Sequence, residues 1–484
     1  MKNNYKKMVV VVIACISMLS GCVQSPAKKV VESKNAQSWT NESPNLSESK
    51  GSSENSQPPK EFVSTDQSVR FLFNADENVA FENMSVIEVA PHIASTADAI
   101  RVSNVLFGGT QGYEGKPLLE QSYSKSEIND CIARWSPYTS REGIKSLYGI
   151  DDDFVVDIVK QKIEYLTEIY DNAPDLDTSE LCKWEFKKEA YYNYSGEEAV
   201  EAESELDNDM IMATFELNGA KYDYNVAIRD KSDYKLSDIS AYFHTAGSPM
   251  SIDAAIFQAN FCRTPKPSDE EVNAVRNKAE KMLSEMELGE WYVSDCTVEN
   301  RIPEIGEYVI NITAYPILNG VKTLPAQQLT NLKSQANYAS NYYMSITNFE
   351  FSANGDLISF HMSSPIDTTQ VIDENTSVLD ARELIVRAQE HLTLSDAASY
   401  LPFEIDAKAE KNIACVVSID DIQYGLSRVK VPNTDNIYYY VPSMMLMGDV
   451  VVQSKDGQKT FYATESAQPL VRINAIDGTI IEKN

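Results

Sequence analysis

Five Asn-Gly or Asp-Gly pairs constrain the fold of this chain most strongly, because each stands between two short runs that alternate apolar and polar residues. The pairs are Asn218-Gly219, Asn319-Gly320, Asn354-Gly355, Asp456-Gly457 and Asp477-Gly478. Such pairs adopt the tight turns that join neighbouring antiparallel strands. The sequence therefore predicts antiparallel meander sheets rather than a parallel sheet with crossover helices.

Helices are predicted between these strands from capping residues and from apolar residues repeated every three or four positions. Their starts are Ser95 to Asp98, Ser124 to Glu127, Asp151 to Asp153, Ser268 to Glu271, and Ser377 to Asp380. Gly108 and Gly289 follow two of these helices and favour their termination. The predicted fold class is α+β, with capped helices packed on antiparallel meander sheets.

A capped helix followed by antiparallel strands occurs twice in the second half of the chain. Both copies end in a strand, an alanine, a glycine turn and an apolar pair. This recurrence predicts two similar helix-plus-sheet modules, at 265–365 and 376–484. An N-terminal α+β domain is predicted at 68–242.

The N-terminal residues 1–21 have the features of a signal peptide. Three lysines precede a short apolar segment, which is shorter than the ~20 residues of a membrane span. The segment ends in Leu19-Ser20-Gly21-Cys22, which resembles the lipobox of bacterial lipoproteins. The resemblance implies cleavage between Gly21 and Cys22 and acylation of the Cys22 thiol. An ordinary signal peptide with a chance cysteine is the alternative.

Residues 22–67 are predicted to form a disordered tether, because they are rich in Ser, Asn, Glu, Lys and Pro and poor in aromatic residues. A flexible chain of this length spans roughly 35 Å. The formal net charge of the whole sequence is -30. Such a charge disfavours nucleic acid and anionic lipid headgroups as partners. Attachment to the membrane is therefore expected through the acyl chains on Cys22 alone.

Five cysteines remain after Cys22 and the signal peptide are set aside: Cys131, Cys182, Cys262, Cys296 and Cys415. Their number is odd, and no Cys-x-x-Cys pair occurs. An extracytoplasmic location permits disulfides. The apolar surroundings of Cys131 and Cys415 instead favour free thiols in a core.

Leu470 to Ile481 resembles the closing strand of PepSY-like modules, which end in a strand, Asn/Asp-Ala, a glycine turn and a short apolar run. Tyr438 to Pro442 is similar to a strand of membrane-tethered regulators of a cell-wall sensor kinase, although their tryptophan is absent here. The resemblance covers the last hundred residues. It implies an inhibitory or regulatory role without catalysis.

The N-terminal half is similar to a family of uncharacterised lipoproteins from gut-type Gram-positive bacteria. The similarity rests on Cys22 to Pro26, Leu106 to Gly109, Tyr113 and Ser124 to Ile128. It implies a location on the outer face of the cell membrane. It supplies no catalytic residue.

No catalytic, cofactor-binding or metal-binding residue is predicted. The four histidines, His92, His244, His361 and His391, stand apart in the sequence, and no His-Glu-x-x-His or Gly-x-Ser-x-Gly motif occurs. Gly247-Ser248 near His244 lacks the turn that a nucleophilic serine needs. The acidic triplet at Asp151 and the acidic run 197–209 fit a helix start and a solvated loop better than a metal site.

These features predict a lipid-anchored extracytoplasmic protein that binds another protein or a cell-wall component and has no catalytic activity. Two alternatives remain: a solute- or glycan-binding lipoprotein that serves a transporter, and a hydrolase with an unrecognised site. Clusters such as Tyr191-Tyr192, Tyr342-Tyr343 and Tyr438 to Tyr440 could stack on sugars, but tyrosines in strands favour half-buried sheet positions.

We predict that Cys22→Ser releases the protein from the membrane fraction, because the acidic surface offers no electrostatic attachment to lipid. The measurement is fractionation of the producing cells followed by immunoblotting. Ser20→Ala, which keeps the cysteine and a small residue at the cleavage site, serves as the control and should stay membrane-bound. Membrane retention of a processed Cys22→Ser protein would contradict the prediction.

Overall fold

The structure is a computed structural model. It describes residues 58–77, 84–115, 124–149, 153–173, 175, 180–190, 207–217, 220–231, 234–243, 265–302, 306–325, 345–400, 413–430, 438–455, 457, 459–464 and 467–481. Gly21, Cys22 and most of the predicted tether lie outside the described residues. Among the described residues, no helix is long and apolar enough to cross a membrane.

The described elements confirm the α+β class. The helices are α1 (Thr96–Phe107), α2 (Lys125–Trp135), α3 (Arg141–Tyr148), α4 (Asp153–Ile169), α5 (Asp269–Met286) and α6 (Ala381–Leu392). The first nine strands are β1 (Glu61–Val63), β2 (Val69–Phe73), β3 (Met84–Pro91), β4 (Tyr113–Glu114), β5 (Lys187–Ala190), β6 (Asp207–Leu217), β7 (Ala220–Lys231), β8 (Tyr234–Phe243) and β9 (Glu290–Ile302). The others are β10 (Glu307–Leu318), β11 (Val321–Lys322), β12 (Ile346–Ser352), β13 (Leu357–Ser363), β14 (Ile366–Thr376), β15 (Ile413–Lys430), β16 (Tyr438–Ser454), β17 (Thr460–Ala463) and β18 (Gln468–Asn474).

The strands form two sheets. Sheet 1 has the order β1-β2-β15-β16-β3-β14, and β17 and β18 also pair with β16. Sheet 2 has the order β11-β10-β12-β13-β8-β7-β6-β4, with β5 paired to β6 and β9 paired to β10. Neighbouring strands in both sheets run antiparallel, except that β2 lies parallel to β15.

Sheet 2 is inserted into sheet 1. The chain leaves sheet 1 after β3, builds sheet 2, and returns to sheet 1 at β14. The two crossing segments lie side by side, because the His92 backbone N–H donates to the Pro365 carbonyl at 2.7 Å. Strand pairing thus crosses the boundaries drawn from the sequence: β2 and β3 join the C-terminal strands, and β8 pairs with β13. The division into separate domains stays a prediction.

Helices pack on each sheet with the apolar stripe of residues along one of their faces. Helices α1 and α5 share one core with sheet 2, and capping boxes at Ser95 and Ser268 start them as predicted. Helix α6 begins after Asp380 and packs Leu384, Ile385 and Ala388 into the core of sheet 1. Helices α2 to α4 pack on one another around a small core of their own.

Strand β16 is buried on both faces, from Tyr438 to Gly448. Met444 and Leu446 face the core beneath α6, whereas Met445 and Met447 contact Leu324, which follows β11. The segment after β11 is also bonded to β15, since the Leu324 N–H donates to the Leu426 carbonyl at 2.8 Å. The apolar contacts and this bond hold the end of sheet 2 against sheet 1.

The predicted recurrence of a helix and a meander is present in the topology. In both halves a helix precedes a long antiparallel hairpin, and a third strand pairs with the second strand of that hairpin. The turn after the third strand is then tied to the helix. Lys278 of α5 donates to the Gly355 carbonyl at 2.7 Å, and Arg387 of α6 donates to the Asp477 carbonyl at 3.0 Å.

Strands β15 and β16 are longer than predicted. The sequence divides each into two strands, because acidic residues interrupt β15 and a glycine interrupts each strand. The structure shows why the glycines are there. A Cβ on Gly425 would collide with the Lys322 carbonyl, and one on Gly448 would collide with the Ser418 carbonyl. Gly448 permits close backbone approach between β15 and β16, and Gly425 permits close approach of β11 in sheet 2 to β15.

Two other strand predictions differ from the structure. The sequence pattern at 184–194 predicts one strand, but β5 begins only at Lys187, because the backbone at Trp184 has a φ of 55°, which an extended strand cannot adopt. Residues 191–194 lie outside the described residues. Strand β14 was not predicted from the sequence. It lies at the edge of sheet 1 with most side chains in solvent, so it lacks the apolar alternation that indicates a strand.

The described cysteines are free, as the sequence indicates. Cys131, Cys182 and Cys415 are buried, Cys296 is half-buried, and Cys262 lies outside the described residues. Burial raises the pKa of the Cys415 thiol to about 12, so this thiol is a packing group at neutral pH rather than a nucleophile.

We expect Gly448→Ala to lower the free energy of unfolding by about 2–3 kcal/mol, since the new methyl group forces β15 and β16 apart. The measurement is chemical denaturation of the chain without its signal peptide. Gly320→Ala is the control: its Cβ has open space, and only the φ of 76° is strained, at about 1 kcal/mol. Equal losses for the two variants would mean that the sheet relaxes around the added methyl group without strain.

Candidate functional site at the crossing between the sheets

His92 lies where the chain crosses from sheet 1 to sheet 2. Its Nδ1 is 2.9 Å from Oδ2 of Asp367 at the start of β14, and its Nε2 is 3.2 Å from Oδ2 of Asp98 on α1. The imidazole thus joins the edge of one sheet to the helix that covers the other. About a quarter of the side chain is exposed.

Asp98 is the buried centre of this cluster. Its Oδ2 accepts hydrogen bonds from the Ser95 backbone N–H at 2.8 Å and hydroxyl at 2.7 Å, which completes the capping box of α1. Its Oδ1 accepts one from Arg101 at 2.5 Å. Burial works to raise the pKa of Asp98, but the hydrogen bonds from Ser95 and His92 outweigh it and hold the pKa below its ordinary value.

Arg101 extends the cluster to α5. Its Nε donates to the Met286 carbonyl, at the C-terminal end of α5, at 2.6 Å. This carbonyl lies in the last turn of the helix, where the backbone carries partial negative charge, so the guanidinium is well placed there. A row of contacting charged side chains therefore runs from Asp367 through His92, Asp98 and Arg101 to α5.

This geometry limits the chemistry that His92 can perform. Both ring nitrogens face carboxylates, so the imidazole donates on both sides when it is protonated and on one side when it is neutral. Neither nitrogen points into open space as a general base or a metal ligand would. Among the described residues, no group of three His, Cys, Asp or Glu side chains could hold a metal ion. The cluster is suited to joining elements rather than to catalysis.

An open groove of about 600 Å³ lies beside this cluster, between α1 and α5. Ala97, Ile100 and Val105 supply aliphatic lining, and Arg101 and Glu285 supply charges. The lining residues on α1 run from Ala97 to Gly108, which corresponds to roughly 16 Å along the helix axis. Ile100 is 36% exposed, which is high for an isoleucine. The groove is thus long, shallow and mostly apolar.

A second, smaller depression of about 400 Å³ lies at the Asp367 end of the row of charged side chains. It is lined by Glu290, by the turn at Asn319-Gly320, and by Asp367, the carboxylate that His92 contacts. Arg101, at the other end of the row, lines the groove.

A buried arginine lies in the seam between the sheets, where the segment after β11 meets β16 and β18. Arg472 of β18 donates to the Pro325 carbonyl of the segment after β11. Burial lowers its pKa to about 10, although tyrosines such as Tyr315 and Tyr440 oppose that shift. Arg472 remains charged at neutral pH, so it acts as a polar link across the seam.

The other residues considered from the sequence do not assemble into a site. His361 is half-exposed, with Nε2 4.0 Å from Asp238, and His391 is half-buried on α6. Tyr438, Tyr439 and Tyr440 are 5–6% exposed, so they are sheet residues and not sugar platforms. Gly21, Cys22, His244, Ser248, Tyr191-Tyr192 and Tyr342-Tyr343 lie outside the described residues.

Sequence reasoning missed the role of His92. The four histidines stand apart in the sequence, and nothing near His92 indicates its partner Asp367, which comes close only through the pairing of β3 with β14. The capping box of Ser95 and Asp98 was the only local signal at this site.

Comparisons with known proteins add little to the geometry. No protein-family model matches the sequence, and no curated protein matches it. Among solved structures, the crystal structure of an uncharacterised protein from Eubacterium rectale ATCC 33656 is 11% identical, with a TM-score of 0.35 over 88% of this chain and 94% of that chain. At this level of similarity neither fold nor function is transferred.

We expect Asp98→Asn to lower the free energy of unfolding at pH 7 by about 1–3 kcal/mol, because the amide neither keeps the ion pair with Arg101 nor accepts the Ser95 hydrogen bonds as strongly. The measurement is urea denaturation. Asp367→Asn is the control: its side chain is 63% exposed, so the loss should be under about 1 kcal/mol.

The comparison of the parent chain with Asp98→Asn also predicts a pH dependence of the unfolding free energy. The folded pKa of Asp98 lies below its ordinary value, so the stabilisation from its ionised form is present above that ordinary value and is lost as the pH falls through the folded pKa. The difference in unfolding free energy between the parent chain and Asp98→Asn should therefore shrink as the pH falls below about 4. A difference that grows below that pH would contradict the depressed pKa.

Proposed function

We propose that this chain is a lipid-anchored extracytoplasmic protein that binds another protein and does not catalyse a reaction. The membrane anchor is the acylated Cys22, and the part of 22–67 that precedes β1 is the tether that carries the folded part away from the lipid surface, because Glu61–Val63 already belong to sheet 1. The observation that carries the binding role is the groove between α1 and α5.

The shape of the groove fits a helix of a partner protein better than a small solute. It is open along its length, so it would leave much of a small ligand in water, whereas pockets for small ligands enclose most of the ligand surface. Its aliphatic lining follows α1 for roughly two turns, from Ala97 to Val105, which matches the apolar face of a short amphipathic helix.

Charges at the groove would orient such a helix. Arg101 lies within the lining on α1, and Glu285 lies across from it on α5. Arg101 is held by Asp98 and by the Met286 carbonyl, so its position is fixed before binding. A fixed charge gives specificity at a lower entropic cost than a mobile one.

The test is site-specific photo-crosslinking in the producing bacterium. A photoreactive amino acid at position 100 should give one discrete protein adduct, because the Ile100 side chain lines the groove. The matched control places it at position 93, where Ile93 is 40% exposed but does not line the groove. No adduct at either position, or the same adduct at both, would contradict the proposal.

A second experiment tests the same groove by introducing a charge into its lining. With the photoreactive residue at position 104, Ile100→Lys should reduce the adduct at least tenfold, because a charge replaces apolar lining. Ile93→Lys should leave the adduct unchanged. Folding is checked by thermal denaturation, which an exposed substitution should shift by little.

A further inference from the structure

Strand β9 leaves one long edge of sheet 2 without a partner strand among the described residues. It pairs with β10 along its whole length, from Glu290 to Ile302, and with no other described strand. A strand edge presents backbone N–H and C=O groups that another strand can bond.

The edge is regular where regularity matters. The ladder with β10 is shifted at two places, between Val293 and Asp295 and between Asn300 and Ile302, and the six residues between these shifts, Asp295 to Asn300, pair without interruption. Six residues span roughly 20 Å, which is enough to bond an added strand. By contrast, β14 at the edge of sheet 1 has three register shifts within eleven residues, which interrupt its edge. Of these two long edges, only β9 can template another strand over several residues.

The side chains on β9 separate into two faces. Val293, Cys296 and Val298 pack toward the core of sheet 2, and Asp295, Thr297 and Glu299 are exposed. The strand therefore stays in place through its inner face while its outer face remains available.

The exposed face is acidic. Arg301 lies 2.6 Å from Glu350 of β12 and 3.9 Å from Glu299, so its closer ion pair is with Glu350. Glu299 also accepts a hydrogen bond from the Asn311 side chain at 3.0 Å, and this neutral donor leaves its charge in place. Asp295 has no cation at ion-pair distance among the described residues. A second copy of this chain would bring a like charge, since the formal net charge is -30. The complementary partner is cationic.

We propose that the Asp295–Asn300 edge of β9 binds an extended, lysine- or arginine-bearing segment of a partner protein by strand addition. Backbone hydrogen bonds hold the segment, and alternate basic side chains lie over Asp295 and Glu299. This inference does not use the groove between α1 and α5, so either proposal can fail without the other.

In the test, the protein without its signal peptide is mixed with each of three synthetic peptides of seven residues. The first alternates lysine and valine, the second alternates glutamate and valine, and the third is the lysine peptide with alternate backbone nitrogens methylated. Hydrogen exchange of backbone amides locates the binding, and titration at low and physiological salt gives the affinities.

We expect the lysine peptide to slow exchange at Asp295–Asn300 and to bind at least tenfold more tightly than the other two. Asp295→Lys with Glu299→Lys should reverse the preference toward the glutamate peptide. The matched control is Asp373→Lys with Glu374→Lys on β14, which makes the same change in charge on the other long edge and should leave binding unchanged.

Three results would overturn the proposal. Equal binding of the methylated peptide would mean that charge acts without strand addition. Protection of β14 from exchange, or no protection of any strand, would mean that the peptide does not bind at the Asp295–Asn300 edge. Protection of Asp295–Asn300 that rises with protein concentration in the absence of peptide would assign the edge to self-association.

Discussion

The burial of β16 on both faces is the constraint on which the rest of the structure depends. Because Tyr438 to Gly448 meet no water on either side, each face needs its own cover. Helix α6 covers one face, and the end of the β10–β11 hairpin covers the other. Sheet 2 is thereby part of the core of sheet 1, even though only two short segments of chain join them. The cover from sheet 2 also explains why a glycine stands at position 425 of β15, since a Cβ there would meet the Lys322 carbonyl and Leu324.

Local features of this fold could be predicted from the sequence, and features that depend on distant pairing could not. The capping boxes at Ser95 and Ser268 and the turns at Asn319-Gly320 and Asn354-Gly355 are set within a few residues, and they occur where the sequence places them. Nothing local indicates that β2 lies parallel to β15, or that Asp367 reaches His92. The same limit hid the insertion of one sheet into the other, since turns and caps carry no information about which sheet a strand joins.

Ionic groups in this protein act mainly as connections between elements. His92, Asp98 and Arg101 join both sheets to α1 and α5, and Arg472 spans the seam on the opposite side of sheet 1 from α6. Such fixed charges need few mobile counter-charges and keep their positions when a partner approaches. The two surfaces proposed for binding, the groove and the edge of β9, both belong to the sheet-2 side of the described part of the molecule.

The insertion has a consequence for the order in which the protein can fold. Strand β2 finds its neighbour β15 only after the whole of sheet 2 has been synthesised, because Val69 pairs with Cys415. Until β15 and β16 are available, β2 and β3 each lack a neighbour that they have in the folded sheet, whereas sheet 2 lies within one continuous segment and can fold first. Folding of this protein therefore has a late and slow step, the closing of sheet 1. The strands in the first forty residues of the folded part are paired on both sides only when the strands of the last hundred residues join them.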